Sequence, residues 1–378
     1  MSKQLFCQSK SPLFNSQSQP GDHLSLPANN LHCSERGISL ATGIKGNVAV
    51  IHPSDRGSHL EWLGEHLKYA CLGPLPEVVI SQVEDLGEQF SNYEFHPYIF
   101  REKEHGFHRN EKWLSIVDKR DQKNLFIKMC QRIGIPTPKT WIFGCKEEVG
   151  NLESFPYPIW FKINCSSDGR GVLKCETPDE LQEALSRISS DIKFQLQKDL
   201  GDKVVTFLNL QYRVVGGRAY RLCLTDQVLE GSKHVGNVFL GEKHHQSAWL
   251  VTDALANLDA KKGMRNVFAY DVAVIKKNGR YEYLVLEENP RYNGSSTPTI
   301  IAEKLRHRGT WLAKPFQLGK ELTDVDLGEI LYSRKTGQGV VPHITSTAKT
   351  KKEISVTLLA PSEPVRHYLE NRLRYLLS

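Results

Sequence analysis

The residues best suited to do chemistry end an apolar strand: Leu284-Val285-Leu286-Glu287-Glu288-Asn289-Pro290-Arg291 closes on two carboxylates, an amide and a guanidinium. Oxygen donors of this kind suit magnesium, and a planar guanidinium suits phosphate. Side chains alternate along a strand, so Glu287 and Asn289 share a face on which they can chelate together, while Glu288 points the other way. Asp271 stands one strand upstream, across an Asn278-Gly279 turn. A two-residue turn sets Asp271 opposite Leu286, whereas a longer loop or a bulge slips it to Glu287; the sequence leaves that register, and the face Asp271 takes, open. Taken one at a time, each of these residues is equally an ordinary strand end facing solvent or backbone.

Lys162 lies in the apolar strand Pro158-Ile159-Trp160-Phe161-Lys162-Ile163. A bare ammonium there is costly, so an anion must accompany it. The polar loop from Asn164 to Gly171 follows, and its Gly169 and Gly171 allow backbone N–H groups to turn toward a phosphate. By itself a lysine beside such a hairpin is more often plain surface. Neither G-x-x-x-x-G-K-[ST] nor G-x-G-x-x-G occurs, so the usual phosphate-loop and dinucleotide readings are unsupported. His105 with His108, and the adjacent pair His244-His245, lack the acid or cysteine spacing of a tetrahedral metal set. Eight cysteines without a C-x-x-C pair read as reduced thiols rather than a zinc site or a disulfide framework.

The elements that must position these groups come from a chain of 378 residues, long enough for about two to three domains. Its 39% hydrophobic and 24% charged residues are those of an ordinary globular protein. Lys and Arg number 49 against 43 acids, a net of +6, and the nearest approach to a basic block is Lys349-Thr350-Lys351-Lys352, read as a solvated turn. That pattern favours an anion in a local site over nucleic acid. No apolar run of about 18 residues and no basic-then-apolar leader is visible, so no membrane is expected and the expected location is the cytoplasm.

Residues 1–43, rich in Ser, Gln, Asn and Pro, read as a flexible or draped arm, with order expected from Gly46. Val48–Ile51, a helix through Leu60, Leu63 and Leu67, and strands at Val78–Ile80 and Tyr98–Phe100 predict a small α/β unit with a parallel sheet. A helix from Asp118, carrying Leu125, Ile127, Met129 and Ile133, should stop at Gly134-Ile135-Pro136. Thr177-Pro178-Asp179-Glu180 opens another helix, with a Thr cap, Pro at the first position and early acids. Hairpins then dominate: Leu208–Val215 turns at Gly216-Gly217 into Ala219–Leu224, and Val267–Ile275 turns at Asn278-Gly279 into Tyr281–Leu286. The end of the chain holds a strand at Ile354–Ala360 and a helix through Tyr368, Leu369, Leu373 and Leu376.

In order along the chain stand Asp118-Lys119 at a helix start, Pro158 to Lys162 before a glycine-containing hairpin, Gln195 to Leu200 as a linker strand, and Glu287-x-Asn289-Pro290-Arg291. That series resembles the ATP-grasp superfamily over roughly residues 46–310. It departs from the family in carrying Ser166-Ser167 where glycine is common, and in a longer separation of Asp271 from Glu287. The resemblance implies an α/β fold of the α+β ATP-grasp type. A Rossmann-like domain is expected at 44–117, a lid at 118–200, a metal- and substrate-binding part with an antiparallel sheet at 201–318, and an α/β appendage at 319–378.

It also implies that Lys119 and Lys162 contact ATP phosphates, that the 164–171 loop with Gly169 and Gly171 closes over them, and that Gln197, Lys198 and Leu200 belong to the hinge reading adenine. Asp271, Glu287 and Asn289 would hold magnesium, two ions in all, while Arg291 steadies an acyl phosphate and Arg213 acts as a second phosphate-side arginine. The implied activity is an ADP-forming carboxylate–amine ligase, joining amino acids or small peptide-like substrates in small-molecule biosynthesis, rather than a carboxylase. The polar turn Tyr292 to Pro298 stands where it could meet the acid or the amine. A phosphotransferase on the same fold, or a nucleotide-binding module without turnover, are the alternatives. A homodimer and a substrate carried on a protein are left open.

Overall fold

The first strand of the chain lies where the sequence shows no periodicity. The computed structural model describes residues 3–7, 34–53, 59–81, 85–166, 171–231 and 233–378. Within them β1 (Gln4–Cys7) is followed by α1 (Arg36–Ala41), β2 (Val48–Ile51), α2 (Leu60–Tyr69), β3 (Glu77–Ile80) and β4 (Glu94–Pro97). These strands form a parallel sheet in the order β3-β2-β1-β4, with β1 inside it and Leu5 fully buried. Glu35, also fully buried, accepts hydrogen bonds from the Thr345 and Ser346 backbone amides at 2.7 Å. Of the arm expected to be flexible or draped, residues 4–7 and 34–43 lie within the folded body, so order begins before Gly46. A four-residue strand inside a parallel sheet is too short to show a period, and both its faces are covered. The last strand of this sheet is likewise Glu94–Pro97 rather than Tyr98–Phe100, which is buried just beyond it.

Three helices follow: α3 (Glu102–Phe107), α4 (Glu111–Arg120) and α5 (Lys123–Arg132). The helix expected from Asp118 is thus two, broken at Asp121-Gln122. Asn110 caps α4 by accepting from the Trp113 amide at 3.0 Å. α5 ends at Gly134, φ +74, where the Ile135 amide bonds back to the Cys130 carbonyl at 2.9 Å.

The lid is β5 (Thr140–Phe143), β6 (Ile159–Ile163), β7 (Val172–Cys175), α6 (Pro178–Ser186) and β8 (Phe194–Lys198), in an antiparallel sheet ordered β5-β8-β6-β7. Thr177 caps α6 by accepting from the Glu180 amide, as the sequence predicts. One sheet face, with Phe161, Phe194 and Leu196, builds a separate core with Leu181 and Ile188 of the α6 segment. The opposite face carries Lys162, whose strand partner is Gln195.

The remainder forms β9 (Val204–Val215), β10 (Arg218–Glu230), β11 (Lys233–Phe239), α7 (Trp249–Lys262), β12 (Val267–Lys277), β13 (Arg280–Asn289), α8 (Ser296–Lys304), β14 (Thr310–Gln317), β15 (Gly339–Ile344), α9 (Ala348–Lys351), β16 (Glu353–Ala360) and α10 (Glu363–Leu377). Its strands make one antiparallel sheet of eight, ordered β13-β12-β9-β10-β11-β14-β16-β15. The segment 319–378, set apart as an appendage in the sequence, therefore supplies the edge of the main sheet: β16 pairs with β14 from Thr310↔Ala360 to Gln317↔Glu353. Nor does residue 117 mark a core boundary. Leu5, Val48, Trp113, Phe126, Leu208, Tyr270 and Val285 share one cluster.

That core has an ionic centre. Arg120 Nε donates to Asp259 Oδ1 at 2.7 Å and lies 3.3 Å from Glu288 Oε2, while Tyr270 Oη donates to Asp259 Oδ2 at 2.6 Å. Burial raises the Glu288 carboxyl well above its usual range, and Asp259 adds to the effect. Glu288 thus turns away from Glu287, as strand alternation requires, and ties β13 to α4 and α7. Among the described residues no helix is long and apolar enough to cross a membrane.

If β1 is part of the core, Leu5→Ala should lose about 2–5 kcal/mol of stability. Chemical denaturation measures this, and an unchanged midpoint would place residues 4–7 outside the sheet.

Candidate active site

The hairpin of β12 and β13 decides the site. Asn278 and Gly279, φ +49 and +77, make a two-residue turn that pairs Lys277 with Arg280. This register holds to Val272↔Val285, then a bulge between Asp271 and Val272 shifts it so that Asp271 stands opposite Glu287. The question left open by the sequence is settled: both carboxyls share one face. On the other side of β12, Asp271 pairs with Asn209 of β9. Asn209 Nδ2 donates to Asp271 Oδ1 at 2.7 Å, and Asn289 Nδ2 donates to Asp271 Oδ2 at 3.0 Å.

Two cations meet these acids. Lys123 Nζ, at the start of α5, lies 2.7 Å from Glu287 Oε2 and donates to the Ser166 carbonyl at 3.0 Å. Lys162 Nζ, from the lid, donates to Gln197 Oε1 at 2.7 Å. Burial lowers the Lys162 ammonium to about 8, with Lys123 adding repulsion against the pull of Glu287 and Asp271. Burial works against the charge of Glu287 too, but Lys123 and then Lys162 outweigh it and hold that carboxyl at about 2. Asp271 behaves in the opposite way. Burial first, and then the facing Glu287, push it up to about 7, so the two carboxyls share a proton near neutrality.

A shared proton between facing carboxyls marks a place that a cation can occupy instead. Two carboxylates and the Asn289 amide are hard oxygen donors, and they fit magnesium. Among the described residues no group of three or more His, Cys, Asp or Glu is placed to hold a metal. His244 Nε2 bonds Asp226 at 2.7 Å and His245 Nδ1 meets Tyr283 Oη at 3.3 Å.

The other expected residues divide. Arg291 follows Asn289 by two positions and points to the parallel-sheet side, its guanidinium 5.0 Å from the centre of the Tyr98 ring. Gln197 holds Lys162 and donates to Thr140 Oγ1 at 3.1 Å. Lys198 and Leu200 lie where β8 leaves the lid sheet, and the Lys198 amide is already bonded to the Lys139 carbonyl at 2.8 Å. Gly171, φ +60, closes the hairpin by accepting from the Ile163 amide at 2.8 Å, whereas Gly169 lies outside the described residues.

Two expectations are corrected. Lys119 is exposed on α4 and donates to Ser115 Oγ one turn back, at 3.1 Å, while Lys123, beyond the helix break at Asp121, is the lysine that reaches Glu287. Arg213 is gripped by Glu303 of α8 through both guanidinium nitrogens, at 2.7 and 2.6 Å, instead of facing the acids. Sequence reading missed Asn209, which also accepts from Ser295 Oγ at 2.7 Å and Asn293 Nδ2 at 3.3 Å and so pins the turn after Arg291. Its only signal was a polar residue amid the apolar run of β9.

A lid sheet facing a larger antiparallel sheet, with cations from the first meeting acids from the second beside a parallel N-terminal sheet, is the ATP-grasp fold. No family model matches the chain. In three dimensions it is similar to an ADP complex of N5-carboxyaminoimidazole ribonucleotide synthetase (13% identity, TM-score 0.59, 86% of this chain and 95% of that one). The corresponding synthetase of Thermus thermophilus is similar at 17% identity and TM-score 0.58, over 88% of this chain and 98% of that one. So is the biotin carboxylase domain of Hydrogenobacter thermophilus 2-oxoglutarate carboxylase, in complex with magnesium ADP, ADP and bicarbonate (13%, 0.59, 100% and 89%). At such identities the likeness establishes the fold.

The shared proton makes the metal-free protein sensitive to pH. Asp271 rises from the ordinary 3.8 to about 7 on folding, so the folded chain binds an extra proton between those values. Its contribution to stability is full below the lower value and is lost as pH rises through the upper one. The expected outcome is that magnesium raises the melting temperature more at about pH 8 than at about pH 5, and that Asp271→Asn removes the difference. Equal magnesium shifts at both pH values would count against a metal at this pair.

Proposed function

We propose that the protein is an ADP-forming carboxylate–amine ligase that activates its acid as an acyl phosphate. The observation that carries this reading is the convergence of Lys162 from the lid and Lys123 from α5 on the facing Asp271 and Glu287. Cations reaching across to acids from two sheets suit a triphosphate lying between them, with lysines on its oxygens and carboxylates toward its metal. Magnesium held by Asp271, Glu287 and Asn289 would polarise the phosphate oxygens.

The protein's own groups do the rest. Lys162 is kept by Gln197 in reach of the acids, and a phosphate oxygen would take the place of that amide. Its ammonium, at about 8, remains mostly charged at neutral pH and offsets negative charge on the transferred group. Arg291, stacked on Tyr98 beyond the metal ligands, would meet the acyl phosphate on the side of the parallel sheet. With the Lys198 amide committed to Lys139, adenine would be read by the Lys198 carbonyl and the Leu200 amide. Closure of the 164–171 loop would keep water from the activated acid. Arg213 is assigned to holding α8 against β9.

The acid and amine are taken to be amino acids or small peptide-like molecules, either free or carried on a protein. The structural neighbours are named for N5-carboxyaminoimidazole ribonucleotide synthesis and biotin carboxylation, and they support the nucleotide half of this reading more directly than its substrate half.

Calorimetry with MgATP tests the site: Lys123→Ala and Lys162→Ala should each weaken binding roughly tenfold or more, ~1.4 kcal/mol per decade, while Lys119→Ala leaves it unchanged. Absence of MgATP binding in the wild-type protein would overturn the reading. ADP release screened over pairs of acids and amines tests the chemistry, and turnover independent of any amine would make the protein a phosphotransferase instead.

A further inference from the structure

At the far end of α8 from the acids lies a cavity of about 640 Å³. Ser295, just before α8, bonds Asn209 of the metal row, while Lys304 at the other end lines the cavity; the helix between spans about 13 Å. Three arginines line the cavity, Arg306 and Arg308 after α8 and Arg334 before β15, together with His307, Tyr332 and Gly337. Among the described residues no acid lines it. The run Lys304-Leu305-Arg306-His307-Arg308 carries three Lys and Arg residues in five, as many as the Lys349–Lys352 turn singled out from the sequence.

Arg306, Arg308 and Arg334 are exposed where they line the cavity. Arg306 has φ +53, left-handed backbone at the position after a helix where glycine is favoured. An arginine kept in that conformation points to a task for its side chain. Among the described residues neither Arg306 nor Arg308 forms an ion pair. The surrounding groups are fixed. Lys304 Nζ is bonded to the Ser39, Leu40 and Thr42 carbonyls at 3.1, 2.6 and 2.7 Å, holding α8 to α1. His307 Nε2 donates to the Thr310 carbonyl at 3.1 Å, and Arg334 Nη2 donates to the Cys71 carbonyl at 3.1 Å. Guanidinium groups lining one cavity offer several donors to an anion with several oxygens, and the guanidinium fork matches phosphate.

We propose that this cavity is a second binding site, separate from the nucleotide site, for a small phosphate monoester. Its volume lies within the range of about 300–1,000 Å³ that suits small molecules. The phosphate could belong to the ligase's own substrate or to a free effector; the chemistry that recognises it is the same.

The test is calorimetry on the full chain saturated with MgADP, so that the nucleotide site is filled, titrated with glycerol 3-phosphate and, in parallel, with the dicarboxylate glutarate. The expected result is saturable binding of the ester, weaker binding of glutarate, and a loss of affinity of roughly tenfold or more, one decade per ~1.4 kcal/mol, in Arg308→Ala and in Arg306→Gly. MgADP affinity should be unchanged in both. Arg306→Gly relieves the left-handed backbone and should raise the melting temperature, so its loss of binding cannot be unfolding. No saturable binding of the ester, wild-type affinity in both variants, or tighter binding of glutarate would each overturn the proposal. In the ADP-release assay, inhibition competitive with the acceptor assigns the phosphate to a substrate, and a rate change independent of acceptor concentration assigns it to an effector. Failure of MgADP itself to bind would strike the ligase reading alone, and the ester titration would then be repeated without nucleotide on the same variants.

Discussion

Two carboxyl groups held face to face are the constraint on which the site depends. Without the extra residue that β13 carries at Leu286, Asp271 would oppose Leu286; the bulge brings Glu287 opposite Asp271 instead. That arrangement is unfavourable by itself, and the surroundings show how it is tolerated. Lys123 and Lys162 stabilise charge on Glu287, Asn209 and Asn289 donate to Asp271, and the remaining repulsion appears as a carboxyl raised to about 7. A cation between the two carboxylates would relieve that repulsion.

The rest of the architecture can be seen as support for that pair. Glu288 points away from the pair and locks β13 to α4 and α7 through Arg120 and Asp259. Asn209 fastens the turn after Arg291, so α8 begins directly beside the acids. The lid has its own aromatic core and presents Lys162 on the opposite face. Its connection to α5 runs through Asn164, whose carbonyl and side chain accept from the Lys123 and Asn124 amides at 3.0 and 2.9 Å. The end of β6 is therefore tied by hydrogen bonds to the helix start that carries the lysine on Glu287.

Charge is distributed in the same purposeful way. The excess of +6 is small, yet basic side chains gather at two places joined by α8. At one end lysines accompany acids and a proton, at the other arginines line a cavity with no acid among its described residues. Arg213, between them, is neutralised by Glu303 and belongs to neither.

What the sequence determined by itself was local. Alternation along β13 placed Glu287 with Asn289 and opposed Glu288; Asn278-Gly279 specified a two-residue turn; Thr177-Pro178 opened a helix; and the order of the motifs pointed to the ATP-grasp fold. The first three follow from chain geometry over a few residues, whereas the last is a resemblance in the order of motifs along the chain. Tertiary structure decided the rest. Whether Asp271 met Glu287 depended on a bulge, which has no sequence signature of its own. Lys119 and Lys123 are one helical turn apart, and only the fold decided that Lys123, beyond the break between α4 and α5, is the one that reaches the acids. Gln4–Cys7 became a core strand because four residues can be covered on both faces by neighbours distant in sequence, and 319–378 became part of the main sheet for the same reason. Pairing between remote segments is set by the packing free energy of the whole molecule, so it cannot be read from any one stretch of the chain.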